Sequence, residues 1–426
     1  MDIINIVDAP CGYGKTSWAI QAMNEASPQS HKFIYVTPFL DEIARVKESV
    51  KCRTFYSPET NDKGETKLIH LHKLLTEGKD ICTTHALFQM ANNETRKLLQ
   101  AHKYTLILDE VLNVINQVDL KKHSLVLLKD AGAIYIVAEE NGIKYVRWNE
   151  CKRDYDTEYN DIRNMALTGN LMYLDESILM WNFPSNIFTA FKHVFILTYL
   201  FKGQQQRYYY DLHDLKYRYL SVEHGEEGYN LVPYESRPIH IKETLRKSIN
   251  IYEGNLNDIG KSRTALSSTW LKKNENTDLL KKNAYNYLTN KVKANNSNTL
   301  WTTYKDSMKK VQPRNFKDSF LSVTSRATNE HKEKYNLAYL VNRFMFPIEQ
   351  QFFQRHSVMV DTDTWALSEL IQWVWRSRIR EGKQINLYIP SSRMRNLFYK
   401  YLTSDDFETA PVGAITNQYS SDWNFS

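Results

Sequence analysis

Near the start of the chain, Ala9-Pro10-Cys11-Gly12-Tyr13-Gly14-Lys15-Thr16 follows a short apolar run and opens an amphipathic one. That spacing suits a polyphosphate. Gly12 and Gly14, with Tyr13 between them, let backbone amides turn toward β- and γ-phosphates, and the helix that follows adds the positive end of its dipole. Lys15 would bridge the phosphates and the Thr16 hydroxyl would ligate Mg²⁺, so ATP and Mg²⁺ are the expected cofactors. Ala9 stands where the phosphate-loop pattern has its first glycine.

A second constellation, Tyr104-Thr-Leu-Ile-Leu-Asp109-Glu110, is an apolar strand ending in two carboxylates. Asp109 would hold the magnesium, mostly through water, and Glu110 would orient and deprotonate an attacking water. An adjacent acidic pair favours hydrolysis over transfer to a second phosphate acceptor.

These residues need a scaffold that presents strand ends side by side. The first half alternates short apolar strands (Ile3–Val7, Phe33–Val36, Leu106–Leu108) with helical segments, the α/β pattern of a mostly parallel sheet covered on both faces. Residues of about 120–188 interrupt it as an insertion. Within it, Ala133–Ala138 and Ile143–Trp148 flank Glu-Asn-Gly, a β-hairpin signal, because Asn141-Gly142 tolerates positive φ. The polar stretch Glu223–Pro238 marks a domain boundary, and strand-like runs return at Asn298–Thr303, Leu337–Val341 and Ile385–Ile389. The expected division is 1–240, 241–405 and a polar, poorly ordered tail at 406–426.

The length of 426 residues agrees with two domains, since one core ordinarily stops growing near about 250–300 residues. A hydrophobic content of 42% excludes wholesale disorder. Four dispersed cysteines without a Cys-x-x-Cys pair suggest neither a zinc cluster nor a disulfide framework and fit a reducing cytoplasm. Asp2 and Asp8 sit where a signal peptide would carry basic residues, and no run approaches the ~18 apolar residues of a membrane span, so a soluble protein with no membrane partner is expected. A net charge of +6 is compatible with a polyanionic partner without requiring one.

The order of these motifs resembles the superfamily 2, DEAD-like (DExx-box) helicases in the compact form carried by phages and mobile elements. Phe33-Ile-Tyr-Val-Thr37-Pro-Phe-Leu40 resembles motif Ia, Asp80-Ile-Cys-Thr-Thr84-His85-Ala-Leu-Phe88 the segment before motif II, and Asp109-Glu110-Val-Leu112 the DExx box. Ile196-Leu-Thr198-Tyr-Leu200 is similar to motif III, which couples the two activities. In the second half, Thr299–Lys305 resembles motif IV, Ser325-Arg326-Ala-Thr-Asn329 motif V, and Gln372-Trp-Val-Trp-Arg376-Ser-Arg378-Ile-Arg380 motif VI. The resemblance implies two RecA-like P-loop domains in tandem, with the hairpin-bearing insertion in the first, clasping one nucleotide. It gives Thr198 the coupling role and Gln372, Arg376 and Arg380 catalytic ones.

Motif VI departs from its pattern. Trp375 replaces a glycine and Arg380 falls one residue late, which leaves Arg376 first, with Arg378 and Arg380 as rivals, for the arginine that reaches the phosphates. Such an arginine, supplied from outside the P-loop domain, is worth roughly a thousandfold in rate. Alternatively, Trp373, Trp375 and Ile379 form the buried face of a helix whose arginines are solvated. No aromatic-Gln base-reading motif precedes the loop, because only eight residues do.

The resemblance also implies backbone contacts to a single strand from Thr37, Thr84, His85, Thr302, Arg326 and Asn329, although a threonine after a strand serves equally as a helix cap. The implied partner is single-stranded or forked nucleic acid, DNA ahead of RNA, together with replication proteins in the host cytoplasm. Two basic, aromatic stretches, Phe201–Tyr210 with Lys216–Tyr219 and the lysine-rich Lys272–Lys293, could stack on bases, but read more simply as a β-ribbon and solvated charges. The rival function is an ATP-driven switch or loader acting on protein partners.

Overall fold

The computed structural model describes residues 3–60, 65–138, 142–155, 157–234, 239–324 and 329–410. The first sheet takes β1 (Ile4–Asp8), β2 (Phe33–Thr37), β3 (Phe55–Tyr56), β4 (Asp80–Thr84) and β5 (Thr105–Asp109) from the start of the chain. The five strands β6 (Ile115–Val118), β7 (Ile134–Ala138), β8 (Lys144–Trp148), β9 (Leu171–Leu174) and β10 (Ile178–Asn182) form a separate antiparallel sheet, order β6-β10-β9-β8-β7. The chain then returns to the first sheet with β11 (His193–Thr198), β12 (Tyr217–Gly225) and β13 (Gly228–Pro233), completing the order β13-β12-β1-β11-β5-β2-β4-β3.

All pairings in the first sheet are parallel except the β12–β13 hairpin. Every residue of β1 and of β2 is buried, as expected of strands covered on both faces, where apolar residues run on rather than alternate. The order places β11 between β1 and β5. The phosphate loop after β1, the Thr198 segment after β11 and the acidic pair after β5 therefore emerge side by side at the C-terminal edge, where open α/β sheets bind their ligands.

The second half supplies a four-stranded parallel sheet of β14 (Ile249–Ile251), β15 (Thr299–Thr302), β16 (Asn336–Tyr339) and β17 (Ile385–Tyr388), order β14-β17-β16-β15. The strands expected near Asn298, Leu337 and Ile385 are all present. This sheet carries no phosphate loop of its own. Helix Thr362–Val374 packs on the face that meets the first half, and Tyr199 and Leu200 of the first half lie in the same apolar cluster as its Leu367, Ile371 and Trp373.

Several expectations change. The inserted sheet begins at Ile115 rather than near 120, because β6 pairs with β10 across the whole insertion. The expected hairpin is β7–β8, with Asn141 of its turn outside the described residues. Within the insertion, residues 171–182 form the β9–β10 hairpin, turned by Asp175 and Glu176 at φ 46° and 56°. Residues 205–212 form a helix rather than a ribbon, and Tyr208, Tyr209 and Tyr210 are core. Their hydroxyls find partners there: Tyr208 donates to the Asp361 carbonyl at 3.0 Å and Tyr209 to that of Phe183 at 2.6 Å. Phenols with internal acceptors are not available to stack on nucleic acid. The expected polar tail also begins with buried residues, since Phe407 joins the second core and Glu408 is 3% exposed.

Candidate nucleotide site

Helix α1 (Lys15–Glu25) starts directly after the loop, and Gly14 at its N-cap has φ 90°, with Gly12 at φ 88°. These left-handed positions are open to glycine at little cost and turn the intervening amides one way. The Lys15 ammonium donates to the carbonyls of Ala9 and of Pro10, the latter at 3.0 Å, so the loop wraps its own cation. Ala9 is buried at the base of the loop and its amide donates to the Thr198 carbonyl at 3.1 Å. Tyr13 is 40% exposed, at the crest.

At the end of β5, an Asp109 carboxylate oxygen accepts a hydrogen bond from the buried Tyr35 hydroxyl at 2.8 Å. Burial, and then the neighbouring charge of Glu110, push the Asp109 carboxyl up to about 7. A divalent cation in front of it would offset both effects. Glu110 has φ 66°, a conformation that costs a non-glycine residue roughly 1–3 kcal/mol. Its amide is held by the Leu197 carbonyl of β11 at 2.9 Å. His85 Nε2 lies 2.9 Å from the Asp109 carbonyl, which can only accept, so that nitrogen carries the proton. Tyr35 and His85 thus brace the acidic turn.

The two halves meet over this edge in one cleft of about 310 Å³. Gly12, Gly14, Lys15, Thr16, Asp109 and Glu110 line one wall, and Gln372, Trp375, Arg376 and Arg380 the other. Its size, its amide-rich floor and its facing cations and oxygens fit a magnesium triphosphate. Arg376 is 6% exposed, with its Nε bonded to the Gln372 carbonyl at 3.2 Å. The long helix stops at Val374, and a short turn at Arg378–Glu381 resets the phase of the chain. That reset brings the late Arg380 back to the cleft, where its carbonyl would lie 3.4 Å from a Cβ on Gly12. Arg378 turns away, bonding the Gln384 carbonyl at 2.5 Å and covering the Tyr335 ring at 4.0 Å. Trp373, Trp375 and Ile379 are buried as well, while Arg376 is not solvated as the alternative reading expects.

Thr198 is fully buried and its hydroxyl has no hydrogen-bond partner among the described residues. The residues that follow it carry contacts between the halves. Asp8, at the end of β1, accepts from the amides of Leu200 and Phe201 at 2.9 and 2.8 Å and fixes Leu200 at φ 53°. That turn aims Tyr199 into the second half, where its hydroxyl bonds the Tyr401 hydroxyl at 2.9 Å and Glu408 at 2.7 Å. Lys242 completes the buried cluster, 3.0 Å from Glu408. Sequence reasoning missed Asp8, Tyr35, Tyr199 and Glu408. A carboxylate inside the apolar run of β1 was the available signal for Asp8.

Of the residues expected to touch a strand, two are buried and two are engaged by nearby backbone. Thr37 and Thr302 are fully buried at the ends of β2 and β15. Thr84 caps the short helix His85–Phe88, its hydroxyl accepting from the Leu87 amide at 3.4 Å, which is the capping alternative. His85 is turned to Asp109 as described. Arg326 and the side chain of Asn329 lie outside the described residues. The lysine-rich segment does stay at the surface, where Lys281 and Lys282 of helix Asn274–Asn286 border a shallow groove with Tyr285 and Arg314.

Over 412 residues the chain is 40% identical to the SPbeta prophage-derived protein YonV of Bacillus subtilis (strain 168), an alignment covering 94% of this chain and 99% of that one. The chain belongs to the YonV family. Residues 243–402 match the YonV C-terminal Rossmann-like domain and residues 115–181 the YonV middle domain, which coincide with the four-stranded and the inserted sheets. Among solved structures, this YonV-family chain is similar to XPD in its apo form, with a TM-score of 0.52, 12% identity and coverage of 94% of this chain and 95% of that one. S. tokodaii Xpd4 is similar too, with a TM-score of 0.50, 12% identity and coverage of 95% of each chain. The chain therefore shares the mixed α/β, two-domain fold of these XPD structures. No helix of the described residues is long and apolar enough to cross a membrane.

Proposed function

We propose that this YonV-family chain is an ATP-hydrolysing motor that moves along or unwinds nucleic acid, in the replication or recombination of a prophage or other mobile genome. The observation that carries this reading is the single cleft shared by Lys15, Thr16, Asp109 and Glu110 with Gln372, Arg376 and Arg380. A phosphate loop facing arginines of another domain links hydrolysis to domain closure. The prophage origin of its relative supports the mobile-genome setting, with DNA ahead of RNA.

In this reading Lys15 leaves the carbonyls of Ala9 and Pro10 to pair with the phosphates, while Thr16 and Asp109 would hold Mg²⁺, which would supply positive charge to the phosphates. Glu110 takes the proton of the attacking water. Arg376 and Arg380 stabilise the charge that develops on the transferring group. The Thr198–Leu200 turn reports the state of the site to the second domain, because Asp8 ties it to the strand that carries the loop. The exposed Lys281, Lys282 and Arg314, beside the half-buried Tyr285, favour a polyanionic track.

The test is steady-state ATP hydrolysis without nucleic acid and with single-stranded DNA, duplex DNA or RNA, using Lys15→Ala as the blank. Strong stimulation by one polymer is expected and names the track. A rate indifferent to all of them, yet abolished in the blank, would replace the motor with the protein-partner switch.

A further inference from the structure

The cleft contains one aromatic side chain that the motifs do not account for. Tyr229 lies on β13, at the edge of the first sheet, and lines the cleft beside Gly14 and Ser17. Its ring presses on the loop so closely that a Cβ on Gly14 would fall 2.1 Å from the ring's Cε1. The Tyr229 amide donates to Gln21 Oε1 at 2.8 Å, and Gly228 sits so near the same amide group that a Cβ there would meet it at 2.5 Å. Gly14, Ser17 and Gln21 follow one side of α1, at helical steps of three and four. The hairpin is therefore locked along that side. The His224 ring, 4.6 Å from the Tyr229 ring across the β12–β13 pair, backs it from the strand behind.

Strand order says which end of a nucleotide this wall would meet. β11 and β5 lie on one flank of β1, and β12 and β13 on the other. A γ-phosphate attacked by a Glu110-activated water must point to the β5 flank. A triphosphate laid across the loop then runs in the opposite direction, delivering its base to the β12–β13 flank, where Tyr229 stands.

We propose that Tyr229, backed by His224, is the platform on which the nucleobase stacks. The proposal rests on the nucleotide-site reading above and adds its specificity. Gln21 is already engaged by the Tyr229 amide and by Glu25 at 2.9 Å, so the wall offers a π-face rather than edge-reading groups. The site then prefers the larger rings of purines and separates adenine from guanine poorly.

The test is calorimetric titration of the full chain with the magnesium complexes of ADP, GDP, CDP and UDP, and with inorganic tripolyphosphate as a ligand that has no base. ADP and GDP are expected within about threefold of each other and several-fold tighter than the pyrimidine nucleotides. Tyr229→Ala should weaken ADP and GDP by about tenfold, the scale of one base–aromatic stack, while leaving tripolyphosphate within about twofold. Tyr229→Phe should bind like the parent, and an unchanged urea midpoint for both variants excludes misfolding. Unaltered ADP binding in Tyr229→Ala, or an equal loss for tripolyphosphate, overturns the platform and leaves the nucleotide site standing. A parent that binds neither ADP nor tripolyphosphate overturns the site and the platform together.

Discussion

The three arginines after Gln372 offer the sharpest test of the closed cleft, because the structure separates residues that motif spacing left as rivals. Arg376 is almost fully buried and faces Glu110 and Lys15 across the cleft, Arg380 sits beside Gly12, and Arg378 is turned onto Tyr335. A guanidinium about 4 Å from a developing unit charge contributes roughly 4 kcal/mol at an effective dielectric of about 20. At about 1.36 kcal/mol per decade, that is roughly a thousandfold in rate. Arg376→Ala removes that charge, so kcat should fall by about two to three decades with nucleotide binding nearly unchanged. Arg380→Ala should lose a similar amount, and Arg378→Ala should stay within about threefold of the parent, since its lost ring contact is worth only about 1 kcal/mol. Single-turnover ATP hydrolysis with urea midpoints measured alongside separates chemistry from folding. If Arg378→Ala were as damaged as Arg376→Ala while equally well folded, or if Arg376→Ala turned over normally, the assignment of the cleft would be refuted.

Glu110→Gln should bind ATP as tightly as the parent and hydrolyse it at least about a hundredfold more slowly, as read by filter binding and phosphate release; normal turnover would remove Glu110 as the base. Tyr199→Phe deletes the hydroxyl that bonds Tyr401 and the buried Glu408. It should lower stability by about 1–3 kcal/mol in urea unfolding and reduce any stimulation of the ATPase by nucleic acid, whereas an unchanged midpoint would mean the cluster does not hold the halves together. Burial pushes the Asp8 carboxyl from its ordinary 3.8 up to about 7, so the folded chain holds a proton that the unfolded chain releases. Stability should therefore fall as pH rises from about 4 to about 7, by up to about 1.4 kcal/mol per unit, and level off above. Asp8→Asn should lessen the slope of that part of the urea midpoint profile, leaving the share of Asp109, whose carboxyl is raised likewise, and a parallel profile would show that Asp8 does not titrate there.

How much was legible depended on whether a feature is local in the chain. Gly12, Gly14, Lys15 and Thr16 could be read directly, because a phosphate loop is built from consecutive residues whose backbone angles and helix start are set by their own types. Asp109 and Glu110 were equally readable as the end of an apolar strand. The strands of both parallel sheets stood out as apolar runs for the same reason. Sequence alone therefore determined the α/β class, the glycine-rich loop and acidic pair at the strand ends of the first half, and the presence of an insertion.

Tertiary structure decided what depends on which residues face one another. The Phe201–Tyr210 stretch has the composition of a basic aromatic ribbon, yet Tyr208, Tyr209 and Tyr210 become core because acceptors 26 to 153 residues away satisfy their hydroxyls, or Gln206 does so within the helix. Thr37, Thr84, His85 and Thr302 follow strands as strand-gripping residues should, but burial, capping and the Asp109 carbonyl take them first. Arg380, one residue late by spacing, reaches the cleft only because the helix ends at Val374 and a turn intervenes. Asp8, Tyr199, Glu408 and Tyr229 acquire their places through strand order and domain contact, where the partners lie roughly two hundred residues apart in the chain and no local pattern records them.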